Sequence, residues 1–260
     1  MDAAVQQAVE NAYRVFARYD LGGGLEVCRC NVCVAPDQER LLTQTPLREI
    51  PSLTLAEYTN SAHEWTERVA GQLRYFLPRY FELIAQGDIP SNLGIETCLD
   101  RLFHANWRET WPQAEVQAIG DYFGALFRSV LNTLNPELAE NPRLPTYHAD
   151  PAEDLLCMVA HAGGDLAPLL AMWDEAQDEN ADLRLANTIG GGEWLRDRLR
   201  NSWWHGKSRP HTEAAMNDVI VWLLRPEIRE RLEAACLAAS DPDKAALLSL
   251  AEGIAAKLRK

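Results

Sequence analysis

Apolar side chains recur every three or four positions through most of this chain, the period of an α-helix buried on one face. The clearest stripe is Val116, Ile119, Phe123, Leu126, Val130 and Leu134, opening after Trp111-Pro112. Others are Val5, Val9, Ala12, Tyr13 and Phe16, then Val69, Leu73, Phe76, Leu77, Tyr80, Leu83 and Ile84, the latter interrupted by Pro78, which should kink or split its helix. Thr54 and Glu57 read as a capping box, and Asp150-Pro151 and Asp241-Pro242 read as helix starts. About ten or eleven helices are expected, with no strand pair and no fixed-period repeat. The reading is all-α: an irregular multi-helix bundle with a short cysteine-rich, non-helical segment near residues 25–36. Residues 136–149 hold three prolines and read as a linker between a subdomain at 1–135, which carries the cysteine cluster, and one at 150–260; a single domain is the alternative.

Charge narrows the partners. Thirty-eight acidic against 25 basic side chains leave a net charge of −13. A surface of that sign repels phosphate at long range, so nucleic acid is disfavoured and a basic protein partner suits it. The best basic patch is Arg196, Arg198, Arg200, Lys207 and Arg209. The N-terminus carries an early acid and no apolar core of a signal peptide, and no run approaches about 18 apolar residues, so no membrane span and a cytoplasmic location with reduced thiols are expected.

One local pattern carries chemistry. Cys28, Cys30 and Cys33 combine C-x-C with C-x-x-C, behind Gly22-Gly23-Gly24 and ahead of Pro36. Three thiolates on a tight turn can converge on one ion, and zinc takes four such ligands. Cys98 and His63 are the candidate fourth ligands, with His104 behind them. Two other readings stand beside zinc. In one the thiols pack as small hydrophobes. In the other they act as a redox pair or sensor, although the βαβ context of thioredoxin-like motifs is missing; an iron–sulfur cluster would also need another ligand. Cys98, Cys157 and Cys236 otherwise fall on apolar helical faces and suit a core.

Candidate catalytic groups are thinner. His161 and Asp165 are spaced to share a helical face, with Gly163-Gly164 between them, and could work as a base or metal ligands. Tyr147, His148 and Asp150 with Glu153 and Asp154 form a polar cluster that could bind a metal, although its acids are better explained as first-turn charges facing a helix dipole. Asp100 and His104 form another such pair, and Trp203-Trp204 offers one ring to the core and one to a partner. There is no G-x-S-x-G, H-E-x-x-H, Walker A or G-x-G-x-x-G pattern, and the two triglycines lack the context of a phosphate cradle. These features favour a non-enzymatic acidic interaction module, such as an inhibitor or antidote of a basic protein. The alternatives are a metal-dependent enzyme using His161, Asp165 or His148, and a thiol-based redox or metal sensor.

Overall fold

The computed structural model describes residues 1–28, 30, 33–62, 64–191, 199–205 and 210–258. Among them the chain forms fourteen α-helices and three 3-10 turns and no strand. The all-α expectation holds. The helix count exceeds it because α5 (Arg101–His104), α6 (Trp107–Thr110) and α8 (Pro136–Glu140) are too short to show a period.

By compactness the chain divides into one unit of residues 1–126 and 161–164 and a second of 127–160 and 165–260. The proline-rich stretch 136–149 belongs to the second unit and contains α8.

In the first unit, α1 (Ala3–Phe16) begins where the Asp2 carboxylate accepts from the Val5 N–H at 2.9 Å. It buries Val5, Val9, Ala12 and Phe16 and packs against α4 (Glu67–Gln86), while α2 (Pro36–Gln44) packs against α3 (Ser52–Asn60). Thr66 caps α4, and Gly87, in the left-handed region at φ 77°, ends it by donating to Ile84 and Leu83 carbonyls. Pro78 does not split α4, which runs unbroken for 20 residues with the proline buried on its apolar face. The capping box at Thr54–Glu57 is also displaced. Pro51 has φ −66° and sits at the N-cap, so α3 starts at Ser52 and Thr54 lies inside it. Phe81 stacks on Tyr122 at 3.9 Å, and the Tyr122 hydroxyl donates to the Phe81 carbonyl.

The longest amphipathic stripe becomes α7 (Gln113–Leu131), whose residues fall on both sides of the division. In the second unit α11 (Glu179–Gly190), α13 (Pro226–Ala238) and α14 (Pro242–Leu258) pack on one another. Trp173 of α10 (Ala167–Glu175) is fully buried beside Phe127 and Trp222 and donates its indole N–H to Ala181 O at 3.1 Å. Asp150 and Pro151 start α9 (Pro151–His161), and Asp241 and Pro242 start α14, as their order in the sequence requires. Residues 192–198 lie outside the described part, and Ser202–Trp204 is a 3-10 turn.

Candidate metal centre

The cysteine loop takes its shape from a glycine turn and from the helix behind it. Gly22, Gly23 and Gly24 all have positive φ, at 58°, 91° and 148°, which lets the chain reverse out of α1. From there the chain runs without regular secondary structure, and side chains satisfy its backbone. Gln72 of α4, 1% exposed, donates Nε2 to Gly24 O at 2.8 Å and accepts the Glu26 N–H on Oε1 at 3.1 Å. Arg68 donates to Gly24 O at 2.8 Å, and Glu39 of α2 accepts the Leu25 N–H at 3.1 Å. Leu25, Val27 and Val34 point inward and are buried. The Cys28 N–H donates to Ala62 O at 2.8 Å. The stretch leading to Ala62 is held by Arg101, itself 2% exposed, whose Nη2 donates to the carbonyls of Tyr58 and Ser61 and to the Ser61 hydroxyl.

The anchors leave three thiols together. The sulfurs of Cys28, Cys30 and Cys33 all lie within 4.8 Å of one another, and Cys30 and Cys33 are 3.4 Å apart. Sulfurs bound tetrahedrally at about 2.3 Å from one zinc ion sit about 3.8 Å apart, so an ion fits this trio with adjustments of less than a bond length, Cys30 and Cys33 moving slightly apart. Three close cysteines here can hold a metal ion. Cys30 is exposed and the other two half-buried, so an ion can enter from solvent. The backbone of Cys30 favours a Cys28 thiolate, but the neighbouring thiols of Cys30 and Cys33 outweigh it and hold the Cys28 pKa above the usual thiol value. A bound cation reverses that balance, because it stabilises thiolates directly.

No family model, curated protein or solved structure matches this chain.

Of the residues named as a fourth ligand, Cys98 does not join the group. It is 2% exposed with its sulfur 3.7 Å from Gly94 O, and burial pushes its thiol pKa far up. Cys157 is likewise fully buried. His104 is exposed and packs edgewise on Phe103 and beside Trp65. His63 lies outside the described residues, but its chain neighbour Ala62 is the one that accepts from Cys28.

The local backbone around the candidate catalytic residues differs from a continuous helix at His161 and Asp165. The helix ends at His161, which is 1% exposed, and Gly163 turns the chain at φ 70°, so residues 161 and 165 do not share a helical face. A Cβ on Gly163 would lie 3.1 Å from the Phe103 ring, which accounts for glycine there. Asp165 accepts the Ala167 N–H at the start of α10. His148 is exposed against the Tyr147 ring, whereas Asp150 turns inward, so that polar cluster splits. Trp204 is fully buried and Trp203 half-exposed. Of the expected basic patch, Arg196, Arg198, Lys207 and Arg209 lie outside the described residues, and Arg200 donates inward to Thr146 O and Asn187 O.

Sequence spacing did not mark Gln72, Arg101 or the buried polar network of the second unit. The available signal for Gln72 is its place on the apolar stripe of α4, between Val69 and Leu73. Replacing it by leucine removes both amide contacts to the loop. The change should free the loop by about 1–3 kcal/mol, because the Glu26 N–H loses its partner. Faster hydrogen exchange at the Glu26 amide and faster alkylation of Cys28 would register it, and unchanged rates would show that Gln72 does not hold the loop.

Proposed function

We propose that this chain is an acidic helical protein-interaction module whose first unit is stapled by a thiolate-bound metal ion. Zinc is the ion that suits the donors, and the partner is a basic protein. The observation that carries the metal reading is the convergence of three thiols, none in a disulfide, on a loop that other side chains already hold in place. Thiolates select soft or borderline ions, and a closed sulfur-rich set marks a structural rather than a catalytic zinc. His63 is the fourth ligand under this reading, since it follows the residue bonded to Cys28 while Cys98 stays in the core. The interaction role rests on the net charge of −13. An inhibitor or antidote of a basic protein fits that charge.

Metal analysis of the purified chain tests it. One zinc per chain is expected, lost on Cys30→Ser and bound more weakly on His63→Ala. Cobalt(II) in its place should give thiolate charge-transfer absorption that both variants alter. Apparent affinity should fall as the solution is acidified from about pH 8 to about pH 6, because the ligands must lose protons to bind. Protein that takes up no zinc, or takes it up equally without Cys30, removes the metal from the reading. Thiol titration with and without chelator then decides whether the trio is a redox pair.

A further inference from the structure

Beside the cysteine loop lies an open groove of about 680 Å³, lined by Leu25, Glu26, Val27, Cys28, Ala62, Glu64 and Thr66. We infer that this groove is where the module receives its partner, and that the occupant is an extended basic segment alternating arginine or lysine with apolar residues. The proposal rests on the function proposed above, and its test keeps the two apart.

The floor is apolar, lined by Leu25, Val27 and Ala62. Side chains of an extended peptide alternate in direction with a period of two, so such a floor accepts every second residue of the occupant. The rim is acidic. Glu64 is exposed and has no ion-pair partner among the described residues. Glu26 is engaged more weakly than a close ion pair would engage it: Arg68 stands 3.8 Å away and the Thr66 hydroxyl donates to it. One rim carboxylate is therefore wholly available and the other can exchange a distant cation for a nearer one. The net charge of −13 steers a cationic segment toward this surface and an acidic one away. Cys28 forms part of the wall, and its N–H bond to Ala62 O joins the two sides of the groove. A metal on Cys28 fixes that wall, so docking and metal binding are coupled, each strengthening the other by the same factor.

The experiment measures binding of a short fluorescent peptide of alternating arginine and leucine to the intact chain, zinc-loaded and zinc-free. A glutamate–leucine peptide of the same length serves as control. Glu64→Lys should weaken the basic probe about tenfold or more, while Glu230→Lys, an exposed reversal in the second unit, leaves it nearly unchanged. Zinc removal should weaken it as well. Equal losses for the two reversals would mean diffuse attraction to an acidic surface and would overturn the site, as would equal binding of the glutamate–leucine peptide. Binding that ignores zinc in a chain shown to load it overturns the coupling. Should the chain take up no zinc at all, the Glu64 comparison still judges the groove, and only the metal reading fails. Retained zinc and an unchanged circular dichroism spectrum for Glu64→Lys exclude misfolding as the cause of a loss.

Discussion

Asp150→Ala is expected to destabilise the second unit by about 3–5 kcal/mol, a large part of the stability of an ordinary domain. The Asp150 carboxylate is fully buried and has four partners. Oδ1 accepts the Ala152 N–H at 2.9 Å, capping α9, and Arg184 Nη1 at 2.8 Å; Oδ2 accepts Asn187 Nδ2 at 2.8 Å and Asn135 Nδ2 at 3.4 Å. Arg184 is 2% exposed and otherwise donates, among the described residues, only to the Thr133 carbonyl. Alanine removes the cap and strands the guanidinium in the interior without its counter-charge. The second loss dominates, because an uncompensated buried ion costs more than a missing cap. The double change Asp150→Ala with Arg184→Met should therefore recover part of the loss, since the stranded charge is gone. Urea unfolding of the three variants measures this. A double variant as unstable as the sum of the singles would show that the ion pair is not what matters.

The second large effect concerns Glu153, one turn further along α9. Its carboxyl is fully buried and its pKa is pushed up to about 7, first by burial. The Asn201 N–H, bonded to Oε1 at 2.7 Å, and the Arg200 guanidinium oppose the shift, and Asp150 adds to it. Oε2 has no hydrogen-bond partner among the described residues; the Trp204 indole favours the ionised form without reaching bonding geometry. The folded chain thus holds this proton more tightly than the unfolded chain, whose carboxyl titrates near 4.5. Below about pH 4.5 both states are protonated and Glu153 makes no difference to the balance. As pH rises from there to about 7 the unfolded chain ionises and the folded one does not, so stability falls, by about 3 kcal/mol in all, and stays at that lower level above pH 7. Glu153→Gln keeps the acceptor for Asn201 and cannot ionise. It should flatten stability between about pH 4.5 and pH 7 and stabilise the chain in mildly alkaline solution. A variant whose stability follows pH with the same slope as the parent would sink this assignment.

The architecture was legible because helical burial leaves a local, repeated mark. The stripe from Val116 to Val130 falls within α7, with Leu134 beyond its end, and Asp150-Pro151 announces a helix start within two positions. Short helices such as Arg101–His104 leave no such mark, and Pro78 misled because its effect depends on what surrounds the proline. The three cysteines were legible as a cluster since chain proximity alone holds them within six positions. Their support was not: Gln72 lies 46 residues from Glu26, and Arg184 lies 34 from Asp150. Charged residues at such separations look like solvated surface until packing pairs them. His161 and Asp165 show the converse. Their spacing implied a shared face, and a single left-handed glycine removed it.

The Gln72 amide gives and takes one bond each with Gly24 and Glu26, the part a neighbouring β-strand would otherwise perform. The cysteine loop therefore borrows its order from a helix that is made after it. During synthesis the cysteines leave the ribosome well before residues 66–72 that arrange them. On the proposed metal reading, loading of the nascent chain would wait for the downstream helix to emerge, and until that moment the three thiols would meet whatever oxidant or competing ion the surroundings contain.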